Sequence, residues 1–159
     1  MDMTSGIKER EYRGLAELRY RLRRFIQEGD ATARQAGLEP QQYLLMLAIR
    51  GLPDGLTATI STLAARLSLR HHSTVELIDR MEARGYLRRV RGKEDRRQVL
   101  IALQPKGEKL LEKVVAQRIV ELRSHGHALV GAISALLEAR DYSAEPAVKK
   151  RGKSAAKSK

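Results

Sequence analysis

Apolar residues recur along this chain at two different periods, and the change from one to the other shows how it is organised. From about Ile7 to Ala36, Leu15, Leu18, Leu22 and Phe25 follow a 3-4-3 spacing, one stripe of a helix. The opposite face carries Lys8, Glu9, Arg13, Glu17, Arg21 and Arg24. Such a helix is about 45 Å long, more than one small domain covers with its own core. The coiled-coil-like stripe therefore predicts a seam between two subunits, with a surface helix packed lengthwise as the alternative. Gly37 ends this helix and Pro40 suits the first turn of the next, which runs through Gln41 to Arg50. There Tyr43, Leu44, Leu47 and Ala48 form the predicted buried set, with Met46 at its edge.

Gly51, Pro53, Asp54 and Gly55 make a loop by composition. A short helix follows over Thr59 to Leu67, with Ile60, Leu63, Ala64 and Leu67 inward and Thr59 as a fair N-cap. A break at Ser68-Leu69-Arg70 leads into a helix running to Ala83, whose inward positions are Thr74 or Val75, Leu77, Ile78 and Met81. After Gly85 the period falls to two. Val99, Ile101 and Leu103 alternate with Leu100 and Ala102, Tyr86 to Val90 supplies the partner strand, and Arg91 to Arg96 the turn. Pro105 opens a helix to about His125, and a last helix spans roughly Ala128 to Arg140, with Gly126 and Gly131 between and within them. Their predicted inward residues are Leu111, Val114, Val115, Ile119 and Leu122, then Leu129, Ile133, Leu136 and Leu137.

Two short helices followed by a hairpin are the order of a winged helix-turn-helix. The expected fold is mainly α with a small β-hairpin, flanked by N- and C-terminal dimerisation helices. Residues 1–143 read as one domain, with a DNA-binding lobe over about 40–104 and dimerisation helices over about 7–36 and 105–140. From Ala144 to Lys159 the composition collapses to small residues and lysines, which predicts a disordered basic tail.

Charge sharpens this picture. Lysine plus arginine number 31 against 19 acidic residues, a net +12, which favours polyanions. The hairpin alone carries Arg88, Arg89, Arg91, Lys93, Arg96 and Arg97, so the expected partner is double-stranded DNA, not an anionic membrane. Aromatics are only 4%, and the core must come from aliphatic residues. No cysteine is present, which excludes disulfides, thiolate metal sites and thiol redox sensing. No apolar run approaches the ~20 residues of a membrane span, and the first residues lack a signal-peptide core, so a cytoplasmic, nucleoid-associated protein is expected. No nucleophile elbow, phosphate loop or zinc-protease motif appears, and no catalytic set or cofactor is expected.

At this point the letters themselves have a family. LAARL from Leu63, STVELIDRMEARGYLRR from Ser73 and EDRRQVLIALQPKG ending at Gly107 resemble the MarR family of prokaryotic transcription regulators. The helix order on both sides extends the likeness to most of the chain. The resemblance implies a homodimer that binds DNA as repressor or activator and is often released by a small ligand. That ligand would lie in a cleft between the dimer helices and the DNA-binding lobe. Three departures stand out. The turn at Arg70-His71-His72 looks one residue longer than is usual, Glu76 and Leu77 stand where small polar and basic residues are common, and Gln104 replaces a threonine cap.

The candidate DNA contacts follow. With Leu77, Ile78 and Met81 inward, the second short helix presents His72, Ser73, Glu76 and Arg80 to the major groove, and Thr74 is included at the edge of that face. Glu76 and Arg80 stand at i and i+4, either aiming the arginine at a base or forming a plain surface pair. His71 and His72 lie at the helix N-terminus, where backbone donors suit a phosphate; a metal site lacks a third ligand there. Ser61, Thr62 and Arg70 are candidate phosphate contacts. In the wing, the resemblance implies that Asp95 holds Arg97 for the minor groove, while Lys93 and Arg96 serve phosphates. Asp95 and Arg97 also read as mere hairpin stabilisers. For a small-molecule effector, Tyr20, Arg24, Tyr43 and Met46 combine apolar bodies with polar tips. Two competing readings stay open: a general DNA-coating architectural protein, and a winged-helix protein-interaction module.

Overall fold

A computed structural model describes residues 6–93 and 95–138. The chain runs α1 (Glu9–Gln35), α2 (Pro40–Arg50), α3 (Ile60–Leu67), α4 (His71–Ala83), β1 (Leu87–Arg91), β2 (Val99–Leu103) and α5 (Pro105–Glu138). This is a winged helix-turn-helix, with α3 and α4 as its helices and the antiparallel β1–β2 hairpin as its wing. Leu87 stands opposite Leu103, Arg89 opposite Ile101 and Arg91 opposite Val99. The basic tail from Ala144 to Lys159 lies outside the described residues.

Local chemistry sets the helix ends. The Thr59 hydroxyl accepts from the Thr62 N–H at 3.1 Å and caps α3, satisfying one of the donors every helix start leaves open. Gly37 and Gly85 adopt positive φ just past α1 and α4. At the second of these, Gly85 N–H donates to Glu82 O and Tyr86 N–H to Met81 O, the reciprocal pair of a Schellman cap. Ser68 ends α3 in the left-handed region at φ 53, so the helix-turn-helix turn is Ser68 to Arg70, and both His71 and His72 are helical.

One core joins the lobe to its flanking helices. Leu45 and Met46 of α2, Leu63 of α3, Ile78 and Met81 of α4, and Leu87 and Ile101 of the hairpin pack with Leu111 and Val114 of α5. Ile101 N–H also donates to Ala58 O at 2.9 Å, fastening the wing to the segment before α3. Where α5 begins, Gly107 lies so close to β1 that a Cβ there would stand 2.1 Å from Tyr86 O.

Three expectations are corrected. In α2 the buried apolar residues are Tyr43, Leu45 and Met46, while Leu44 and Leu47 remain exposed at 45% and 37%, because α2 is packed from more than one side and its inward arc shifts. The predicted break near Gly126 does not occur: α5 is continuous to Glu138. Two helical glycines cost about 1 kcal/mol each, but α5 lies along α1 far beyond them, with Leu136 seated against Gly14. Finally, Ile119, Leu122, Ile133 and Leu137 face outward, not inward. Among the described residues no helix is long and apolar enough to cross a membrane.

Candidate nucleic-acid interface

Helix α4 has one buried side, Thr74, Leu77, Ile78 and Met81, so its other side is fixed by elimination. His71, His72, Glu76, Asp79 and Arg80 are exposed there and Ser73 is half-buried. Thr74 does not belong with them. It is fully buried, and its hydroxyl donates to Arg70 O at 3.1 Å, so it closes the first turn and cannot meet a base. Arg70 occupies the N-cap, exposed, with no side chain capping the turn behind it. Ser61 is exposed, whereas the Thr62 hydroxyl lies 2.9 Å from that of Thr59 and is drawn into the α3 cap. Glu76 and Arg80 do not pair. An exposed i,i+4 pair is worth only about 0.3–0.5 kcal/mol, too little to immobilise two long side chains.

In the wing, Arg88, Arg91, Lys93, Arg96 and Arg97 are exposed. The tip is built by backbone contacts. Asp95 Oδ1 accepts from the Arg97 backbone N–H at 2.9 Å, Gln98 N–H donates to Asp95 O at 3.1 Å, and Gly92 N–H donates to Gln98 O at 2.9 Å. A Cβ at Gly92 would stand 2.5 Å from Asp95 O, so this crossing needs glycine. Asp95 therefore holds the main chain of Arg97, not its guanidinium. The arginine projects from a fixed Cα with its charged end in solvent. That correction matters chemically: the guanidinium keeps all five donors for a partner.

Arg89 differs from its neighbours in the run. It bonds both Asp79 and Glu82 of α4, reaching Asp79 Oδ1 at 2.6 Å. The hydrogen bond to Asp79, foremost, holds its guanidinium protonated beyond its ordinary range. Sequence reasoning counted Arg89 among the free wing charges; a cation on the inward parity of a strand, opposite Ile101, was the available signal.

A second site lies between α1 and α5, a cavity of about 340 Å³ lined by Arg24, Phe25, Glu28, Arg118, Glu121 and His125 among others. Of the four residues expected to meet an effector, Arg24 lines it, paired with Glu28 at 3.0 Å. Tyr20 is exposed beside Arg24, and its hydrogen bond is the main cause that raises the Arg24 pKa. Tyr43 and Met46 do not line it. Met46 is sealed in the core, and burial pushes the Tyr43 phenol up, with the nearby Arg118 charge opposing. The residues missed were Arg118 and Glu121. Arg118 pairs with Glu121, donates to Phe25 O at 3.0 Å and stacks 4.7 Å from the Phe25 ring centroid. Glu121 also accepts from Thr32 Oγ1 at 3.1 Å. Their signal was legible: both stand where the apolar stripe of Leu111 and Val114 would continue. Among the described residues no group of three or more His, Cys, Asp or Glu is placed to hold a metal ion.

Comparison with known proteins agrees with this architecture. The sequence model of the MarR family matches residues 36–98, from the end of α1 to the wing tip. An uncharacterized HTH-type transcriptional regulator of Bacillus subtilis, YsmB, is 33% identical over 97 residues, 61% of this chain and 64% of that protein. The match thus spans just under two thirds of that relative's length. A MarR family protein from Bacillus stearothermophilus superposes with a TM-score of 0.65 at 26% identity, covering 86% of this chain and 97% of that one. BpsR of Bordetella bronchiseptica, whose DNA binding is regulated by 6-hydroxynicotinic acid, superposes with a TM-score of 0.54 at 26% identity over 79% and 90% of the two chains.

Proposed function

We propose that the chain is a member of the MarR family and a site-specific double-stranded DNA-binding regulator of transcription acting as a homodimer. The observation that carries this reading is the pairing of two exposed elements: the polar face of α4 with its N-cap, presenting Arg70, His71, His72, Glu76 and Arg80 to solvent, and a basic wing whose pinned tip presents Lys93, Arg96 and Arg97. Helix α4 would enter the major groove and Arg97 the minor groove, where a narrow groove concentrates negative potential. In this reading the lobe over about residues 40–104 binds DNA, and α1 and α5 pair two copies through their outward apolar stripes. Two symmetric lobes fit an inverted repeat with half-sites about one helical turn, ~10 bp, apart.

The mode of action proposed is repression, relieved when a small molecule occupies the α1–α5 cavity. Arg24 and Arg118 there, with the apolar Phe25 and Leu122, supply the polar and apolar sides such a ligand needs. BpsR offers a probe, 6-hydroxynicotinic acid.

The test is selection of bound duplexes from genomic and random DNA, followed by binding with and without that probe. A recovered inverted repeat with this spacing is the expected result; binding indifferent to sequence at physiological salt would sink site-specificity. Arg97→Ala should weaken binding to the selected duplex by about 1–3 kcal/mol while fold and assembly survive. Unaltered affinity would remove the wing arginine from the mechanism.

A further inference from the structure

Strand β1 alternates, and Arg89 lies on its inward parity with Leu87, opposite the buried Ile101. An apolar residue would be the ordinary choice there. Instead the side chain crosses to α4 and is held by two carboxylates one turn apart. Nη1 bonds Glu82 and Nη2 donates to Asp79 Oδ1 at 2.6 Å. The same Glu82 accepts the Arg89 backbone N–H at 2.9 Å, an amide that the β1–β2 ladder leaves unpaired. One residue of the wing is thus tied to the C-terminal half of α4 by main chain and side chain together. On the other arm, Ile101 N–H is tied to Ala58 O. The wing is braced from both strands, and the brace on the β1 side is ionic.

We propose that Arg89, with Asp79 and Glu82, is the positioning residue that fixes the wing relative to α4 so that both engage one duplex at once. This rests on the DNA-binding reading above. A duplex offers its major and minor grooves at a set separation, so a swinging hairpin would lose freedom on binding and weaken it. A guanidinium is suited to the task because its rigid fork reaches two carboxylates simultaneously, which an ammonium on a flexible stem does not.

The brace can be separated from simple charge, because the two make opposite predictions. Asp79→Asn with Glu82→Gln removes two negative charges near the proposed interface. Electrostatics alone then strengthens attraction to phosphates. Positioning predicts weaker binding to the selected duplex, by about fivefold or more, since the hairpin must now be ordered on binding. Arg89→Lys should lose a similar factor. Arg89→Ala should leave the salt dependence unchanged, whereas loss of a true phosphate contact lowers the slope by about 0.9.

In the free protein, amide hydrogen exchange in β1 and β2 should quicken in all three variants while α5 amides stay unchanged, a readout that needs no DNA. Equal or tighter binding by the carboxylate variant, full affinity in Arg89→Lys, a reduced slope in Arg89→Ala, or unaltered hairpin exchange would each overturn the assignment. Failure of the wild-type chain to retain any duplex would instead remove the DNA-binding reading, and this role with it.

Discussion

Ile78 and Met81 in α4 are sealed from solvent, whereas Leu15 and Ile26 in α1 stand 54% and 60% exposed, although both helices repeat apolar residues at helical spacing. The same contrast separates the two halves of the structure. In the winged lobe, α2, α3, α4 and the hairpin surround one another, and Leu45, Leu63, Leu87 and Ile101 are closed over by neighbours within the chain. In the α1–α5 pair, each helix buries one side against the other and leaves a second apolar stripe outward. On α1 it runs through Leu15, Leu22 and Ile26, and on α5 through Ile119, Leu122, Val130, Ile133 and Leu137. Exposed apolar surface on this scale marks an interaction face. The lobe closes its core from within the chain, whereas the pair leaves a long apolar stripe uncovered, the face through which the proposed dimer would form.

Polar chemistry divides the same way. Along α1, Arg13–Glu9, Arg21–Glu17 and Arg24–Glu28 are solvated i,i+4 pairs that contribute little each. At the crossing with α5, Arg118 is buried and Glu121 half-buried, and Gly29 lets the guanidinium approach: a Cβ there would stand 3.3 Å from Arg118 Nε. Breaking such a sequestered pair leaves one charge without its partner.

The contrast can be broken most directly at the outward stripe. Leu15→Glu or Ile133→Glu should cost little in a chain whose stripe faces water. In a symmetric dimer each buries two charges, and the dissociation constant should rise about 100-fold or more. Sedimentation equilibrium measures this; an unchanged mass for both variants would make the stripe ordinary surface. Glycines sharpen the comparison at the next level. Gly107→Ala in the packed lobe forces a methyl into Tyr86 O and should destabilise by about 3 kcal/mol. Gly131→Ala in α5 meets nothing within 4 Å and should stabilise by about 1 kcal/mol. Urea unfolding reads both, and equal responses would erase the distinction between closed lobe and open pair.

The smallest expected effect is a pH dependence confined to the helix pair. Burial pushes Glu121 up, but hydrogen bonds from Arg118, Thr32 and Gln117 outweigh it and hold the carboxyl below its ordinary 4.5. A depressed carboxylate stabilises the fold above that ordinary value, and the contribution fades as pH falls through the lower folded value. Thermal unfolding followed below pH 4.5 should therefore lose stability less steeply in Glu121→Gln than in the wild type. Parallel acid limbs would mean that the pair contributes nothing through ionisation.

Much of the fold was legible in residue order, and the candidate site less so. Period-3.6 runs, the drop to period two after Gly85, and the caps at Thr59, Gly37 and Gly85 depend on residues within a few positions of one another. The site was legible where it rests on exposure: once Leu77, Ile78 and Met81 face inward, His72, Glu76 and Arg80 must face out. It was illegible where a polar side chain had two local options. Thr74 reads equally as groove contact or buried hydroxyl until its bond to Arg70 O is known. Asp95 reads equally as partner to a side chain or to a main-chain amide until the Gly92 crossing is seen.

What the sequence by itself determined is therefore the set of elements, their order, the basic wing and the apolar stripes, because propensity, capping and periodicity are short-range physics. Only the tertiary structure decided that Arg89 is paired with Asp79 and Glu82 and not a free charge, and that Leu45, not Leu44 or Leu47, fills the interior side of α2. It alone decided that Arg118 meets Glu121 and Phe25 at the helix crossing, and that α5 passes unbroken through Gly126. Each of these depends on contacts between distant segments. Arg118 meets Phe25 across 93 positions, and no periodicity within either helix encodes what the other will place opposite it.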